Sequence, residues 1–187
     1  MKKINFKDIF KSSIPLVLIC IVISFLLAFV NLYTKSTIEK GKSSESENAR
    51  KTVLSDASKF EECKIDDIEY YKGFDGDDLI GYVFLTNSKG YGGKIEVMTG
   101  ISSDGTIKEI SILSQNETPG LGANIKNDNF KKQFNKKVPS DGFNVVKSTA
   151  NENSEIEAIT GATISSKAVT SCVNEAIKLY NKINLGN

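Results

Sequence analysis

An uncharged run, IPLVLICIVISFLLAFVNLY from Ile14 to Tyr33, most narrows what this chain can fold into. Polar side chains enter it only at Ser24, Asn31 and the closing Tyr33. Hydrocarbon demands that backbone polar groups be paired within the segment, which a helix achieves. About 20 residues rising about 1.5 Å each match a hydrocarbon core of about 30 Å. A cleaved signal peptide would carry an apolar stretch of about 7–15 residues ending at a small-x-small site, whereas Leu26-Leu27-Ala28-Phe29-Val30 stays bulky. The run therefore reads as a retained transmembrane helix over 14–33, with Cys20 as one of its apolar residues. Lys2, Lys3, Lys7 and Lys11 precede it against a single Asp8, which retains the tail 1–13 in the cytoplasm by the positive-inside rule. Lys35, Lys40 and Lys42 oppose that bias from the far side. On balance the chain is a single-pass protein of the cell membrane with its C-terminal part outside the cytoplasm.

The 187 residues leave room beyond the anchor for one ordinary domain. Lys and Arg total 24 against 23 Asp and Glu, and the resulting net charge of +1 is too weak a field to recruit nucleic acid. Histidine is absent, and the three cysteines, Cys20, Cys63 and Cys172, are not paired at a metal-ligand spacing. These absences exclude Ser-His-Asp and Cys-His catalysis, histidine-ligated haem, and any four-cysteine zinc or iron–sulfur site built from this chain alone. Redox work in such a chain needs an organic cofactor.

After the anchor comes a polar, Ser-rich stretch in which Ala49, Val53, Ala57 and Phe60 recur at intervals of three or four. That spacing predicts a stalk and an amphipathic helix over 34–60, ahead of a domain over 61–187. Strand patterns follow around Ile68–Tyr71, Leu79–Leu85, Lys94–Thr99 and Ile107–Leu113, separated by the turn sequences FDGDD, NSKGYGG and SSDG. They read as an antiparallel meander with Asp104-Gly105 as its clearest hairpin turn. A short helix carrying Ile125, Phe130 and Phe134 is expected next, then strands at Phe143–Lys147 and Ile156–Ile159. The final helix is strongly patterned, with Val169, Cys172, Val173, Ala176, Ile177 and Tyr180 on one stripe. The fold class is α+β: one membrane helix, a mainly antiparallel sheet and flanking helices. In an oxidising exterior a Cys63–Cys172 disulfide is open, since sequence separation does not fix its geometry.

Two loops stand out. NETPGLGAN ends the meander, where Pro119 fixes φ and Gly120 and Gly122 permit conformations and close approaches closed to other residues. The second, Thr160-Gly161-Ala162-Thr163-Ile164-Ser165-Ser166, opens the last helix. A helix start leaves backbone N–H groups unpaired and carries partial positive charge, so it receives an anion well. The hydroxyls of Thr163, Ser165 and Ser166 can cap the helix or bond phosphate oxygens. Physical chemistry alone stops at a phosphate-compatible helix start.

EAITGATISSKAV resembles the covalent-flavinylation motif of the FMN-binding domain family, and GYVFLTNSKGYGGKIEVMTGISSDGTIKEISIL followed by ETPGLG is similar to that domain in the G subunits of Rnf complexes. The resemblance covers nearly the whole chain. It implies FMN esterified through its phosphate to Thr163, with Thr160, Gly161, Ala162, Ser165 and Ser166 around the attachment. It also implies flavin contacts from Glu117, Thr118, Gly120, Leu121 and Gly122 of the ETPGLG loop. Glu157 stands where many members have Asp, and Gln115 stands near a position often held by His. The implied function is electron relay within a membrane-bound, ion-translocating ferredoxin:NAD oxidoreductase complex. Its other subunits, membrane lipid and a flavin transferase would be the partners. A flavinylated carrier of another extracytoplasmic system, or a non-redox membrane-tethered anion-binding module, would share the same helix start.

Overall fold

The computed structural model describes residues 6–65 and 68–185. Lys2 and Lys3 lie outside the described residues, as do the side chains of Lys7, Asp8, Lys11, Lys35, Lys40 and Lys42. Two compact units emerge, Met1–Ser44 and Glu45–Asn187. Helix α1 runs from Phe6 to Val53. Within it Ser13–Asn31 is a 19-residue stretch of mean hydropathy 2.9 with no residue buried, long and apolar enough to cross a bilayer. The expected Ser-rich stalk is part of the same helix. Its serines are neutral enough in a helix interior not to break a segment that carries Glu45, Glu47, Arg50 and Lys51 around them.

The second unit is built on an antiparallel meander of β1 (Lys59–Ile65), β2 (Ile68–Asp75), β3 (Asp78–Lys89), β4 (Lys94–Ser102) and β5 (Ile107–Ser114), in that spatial order. Alternation divides its side chains between two faces. Tyr70, Tyr82, Phe84 and Val97 join the larger core, while Tyr71, Val83 and Met98 turn to the other side. The central strands β3 and β4 are thus covered on both faces and read as nearly continuous apolar runs. On the smaller face lie Ala49, Val53, Leu54 and Ala57, all buried. A Cβ at Gly100 would lie 2.1 Å from the Val53 carbonyl oxygen, so the bare glycine is what admits the end of α1 against β4.

One expectation fails here in an instructive way. Phe60 continues the three-or-four spacing of Ala49 and Val53, yet it belongs to β1, where it pairs with Gly73. Helix α1 stops at Val53, and cross-strand pairing with β2 overrides the local period. The buried residues that pack on the sheet therefore begin at Ala49, ahead of residue 61, and the strand carrying Cys63 had no sequence signal of its own strength.

The larger face receives the C-terminal half. After β5 come the 3-10 turn Gly122–Lys126, the short helix α2 (Asp128–Lys131) and a second 3-10 turn, Lys132–Phe134. They bury Ile125, Phe130 and Phe134 as their spacing predicts. Strands β6 (Asn144–Val146) and β7 (Glu155–Glu157) form a separate parallel pair, each shorter than the sequence pattern indicates. Helix α3 (Thr163–Leu185) lays its predicted stripe on the sheet. Thr86 donates to the Cys172 carbonyl at 3.0 Å, and Asn174 clasps the backbone of Phe143 from both sides, at 2.8 and 2.9 Å. Cys63 and Cys172 are free thiols, and burial pushes the Cys172 thiol up to about 12.

Candidate functional site

The loop before α3 is closed by a single serine. Ser166 is fully buried; its Oγ accepts the Ile159 N–H at 3.1 Å and donates to the Ala162 carbonyl at 3.0 Å. Gly161 turns the chain at φ +76°, in the left-handed region that glycine adopts without a Cβ penalty. The first helical bond runs from Ser166 N–H to the Ala162 carbonyl at 3.0 Å. The amides of Thr163, Ile164 and Ser165 precede it, at the positive end of a 23-residue helix.

The loop after β5 meets this helix start through Glu117. Its carboxylate is 5% exposed, accepts the Gly92 N–H at 2.9 Å and accepts the Ser165 hydroxyl in a short contact. Gln115 fixes the same loop by accepting the Glu117 N–H. Three segments far apart in sequence are thereby tied together: the turn after β3, the ETPGLG loop and the first turn of α3. Gly122 lies inside the tie. A Cβ there would sit 2.5 Å from Ser165 Oγ and 2.6 Å from Glu117 Oε2.

Between the three segments opens a cavity of about 510 Å³, lined by Tyr91, Glu117, Thr118, Leu121, Gly122, Gly161, Ala162, Thr163, Ile164 and Ser165. Its volume lies within the range of about 300–1,000 Å³ usual for small-molecule sites. Eight of the residues expected from sequence line it. Three do not: Ser166 is fully buried, Gly120 lies on the exposed shoulder of its loop at φ +76°, and Thr160 lines a neighbouring cavity with Asn124, Phe130 and Ile159. Two lining residues, Tyr91 and Ile164, were missed. For Tyr91 the available signal was an aromatic side chain set between glycines in the GYGG turn.

The hydroxyls at the start of α3 divide cleanly. Ser165 is committed to Glu117, Ser166 to Ala162 and Thr170 to the Ser166 carbonyl at 2.9 Å. Thr163 is half-buried, lines the cavity and makes no side-chain hydrogen bond among the described residues. At the other extreme, the large hydrophobic side chains exposed outside the apolar helix, among the described residues, are Tyr91, Leu121 and Ile164, and all three line this cavity. A free hydroxyl beside unpaired helix amides suits a phosphate, and an apolar rim suits a flat aromatic ring. The residues present fit FMN.

Residues 90–178, which contain every residue lining this cavity, match the model of the FMN-binding domain family. The chain is 39% identical to the G subunit of the Na(+)-translocating ferredoxin:NAD(+) oxidoreductase complex of Acetobacterium woodii, over 97% of this chain and 96% of that one. It is 37% identical to the G subunit of the proton-translocating ferredoxin:NAD(+) oxidoreductase complex of Clostridium ljungdahlii, over 91% of each. The crystal structure of Shewanella oneidensis NqrC aligns with a TM-score of 0.49 at 20% identity, covering 63% of this chain and 64% of that one. The chain belongs to the family of G subunits of ion-translocating ferredoxin:NAD(+) oxidoreductase complexes.

Proposed function

We propose that this chain is the electron-relaying subunit of an Rnf-type complex, working through FMN joined by a phosphoester to Thr163. The reading rests above all on one observation: of the hydroxyls on the first turns of α3, Thr163 alone is both unengaged and open to the cavity. Bound FMN would supply what the side chains lack, the ability to take up electrons and pass them on. The chain's own residues do the holding. Thr163 offers the oxygen to be esterified, the amides of the first turn of α3 would receive the phosphate, and Gly122 leaves room for the Ser165–Glu117 contact. Glu117 acts one step back, fixing Ser165 and the turn that carries Tyr91.

The same reading sets residues 1–13 in the cytoplasm, the apolar helix in the membrane and the unit from Glu45 onward outside the cytoplasm. Attachment requires a flavin transferase, and electron relay requires the other subunits of the complex. A covalent bond suits an exterior domain, where a dissociating cofactor would be lost to dilution.

In-gel flavin fluorescence after denaturation, beside a thermal melt of each variant, tests the assignment. Wild type and Thr160→Ala retain covalent flavin, Thr163→Ala has none, and Thr163→Ser shows reduced loading because a transferase must accept a primary alcohol. All four remain folded, since loss of a helix-end hydroxyl costs about 0.5–2 kcal/mol. Normal covalent fluorescence in folded Thr163→Ala would overturn it.

A further inference from the structure

Tyr91 is unusual among the side chains of the domain. It is 73% exposed, the most exposed of the three rim hydrophobics, and the one aromatic residue lining the cavity. Scattered exposed apolar side chains need no explanation, but a cluster confined to the mouth of one cavity does. The turn that carries Tyr91 is also anything but loose. Gly90 donates to the Gly93 carbonyl at 2.7 Å, and Gly92 donates to Glu117 Oε1 at 2.9 Å. A Cβ at Gly92 would lie 1.9 Å from the Asn116 carbonyl oxygen, so the turn presses directly on the loop that supplies Thr118 and Leu121. The backbone on both sides of Tyr91 is thus pinned, while its ring is left uncovered at the cavity. A rigid backbone presenting a bare aromatic ring is the arrangement that binds a planar partner at low ordering cost.

We infer that Tyr91 forms the aromatic wall of the flavin site, its phenol ring in direct contact with the ring system of the FMN carried at Thr163, with Leu121 and Ile164 completing the apolar rim. The inference rests on the reading that FMN is attached at Thr163. The chemistry is complementary: the flavin ring is flat, polarisable and electron-poor, and the phenol ring is electron-rich. Contact covers the most exposed apolar surface of the domain and orients the ring relative to the tethered phosphate.

An electron-rich phenol in contact with a photoexcited flavin donates an electron to it and quenches its emission, which gives a readout independent of turnover. The full-length holoprotein is compared with Tyr91→Phe, Tyr91→Leu and Tyr91→Trp. Covalent flavin per chain is measured after denaturation, and fluorescence lifetime and visible circular dichroism are measured in the native state, per flavin. No tryptophan occurs in the chain, so Tyr91→Trp introduces a single new donor. Tyr91 makes no side-chain hydrogen bond among the described residues and is mostly exposed, so each variant keeps its melting transition. Expected are a strongly quenched wild type, an equally or more quenched Trp variant, and lifetimes several-fold longer in the Phe and Leu variants. Phe, which keeps a ring but is a poor electron donor, retains the visible dichroism that Leu loses.

Equal lifetimes and equal dichroism in all four flavinylated proteins would overturn the inference while leaving attachment at Thr163 intact. Absence of covalent flavin from wild type would remove the attachment reading, and this inference with it.

Discussion

The Glu117 carboxylate accepts the hydroxyl of Ser165 across 48 positions of sequence, inside a region where both side chains are almost completely buried. Glu117 also takes the Gly92 N–H, so one carboxylate holds the mouth of the cavity together. Removing it leaves the buried Ser165 hydroxyl without an acceptor, at about 1–3 kcal/mol for an unsatisfied buried group, and releases the more exposed Gly92 N–H. Glu117→Ala is therefore expected to cost more than Ser165→Ala in urea denaturation. The double variant costs less than the two singles combined, by about 0.5–3 kcal/mol of coupling. Glu117→Gln, which can accept from Gly92 and donate to Ser165, stays close to wild type. Strict additivity of the two alanine variants would show that the contact carries no energy.

Two glycines of the ETPGLG loop separate conformation from space. Gly120 has φ +76° and nothing within 4 Å of where a Cβ would lie, so Gly120→Ala meets only the left-handed backbone penalty of roughly 1–2 kcal/mol. Gly122 has no positive φ, but a Cβ there strikes Ser165 Oγ, Glu117 Oε2 and Glu117 Cβ, the last at 2.9 Å. Gly122→Ala must push the tie apart, and is expected to lower both the melting temperature and covalent flavin loading. Gly120→Ala lowers the first modestly and leaves the second near wild type. The reverse order would show that flavin approaches the chain at Gly120.

Much of this was legible in the sequence because it depended on local pattern. The apolar run, the four later strands of the meander and the stripe of α3 each follow from a period of 2 or 3.6, or from sheer length. The positive φ of Gly120 follows from the Pro-Gly turn itself. Strand β1 escaped because KFEECKI is an edge strand with charged residues facing solvent, and because Phe60 imitated the spacing of the helix before it. The tie through Glu117 was hidden for a different reason. Its partners Gly92 and Ser165 lie 25 and 48 residues away, and nothing at those separations marks one carboxylate as a brace instead of a ligand contact. Tyr91 was missed because its one local mark, an aromatic side chain between glycines, does not show that the fold carries it to the mouth of the cavity.

Cys172 illustrates how burial silences chemistry. Its thiol sits on the core face of α3, 1% exposed, with its pKa pushed up to about 12 by desolvation. Alkylation requires the thiolate. In native protein at mildly alkaline pH, iodoacetamide should leave Cys172 unmodified by peptide mass analysis, and labelling should appear only as denaturant unfolds the domain. Modification at the rate of an unfolded peptide would place this thiol outside the core.

The end of α1 offers a direct test of where the domain begins. Val53 and Leu54 are fully buried, and with Ala49 and Ala57 they cover Val83 and Met98 on the smaller face of the sheet. Arg50 adds its guanidinium over the Tyr71 ring, at 4.2 Å from the centroid. Each fully buried aliphatic side chain contributes about 1.5–3 kcal/mol, and the whole domain is expected to have only about 5–15 kcal/mol of net stability. A chain started at Glu45 keeps every residue of both core clusters and should be a soluble, cooperatively melting domain. A chain started at Ser55 loses Ala49, Val53 and Leu54, uncovers Gly100 and Met98, and should melt without cooperativity or aggregate. Val53→Ala in the longer chain gives the graded version, with a lowered but still cooperative transition, because the helix remains and only the packing at β4 is reduced. If the chains from Glu45 and Ser55 melted alike, the last turns of α1 would be a tether to the membrane helix and no part of the domain core.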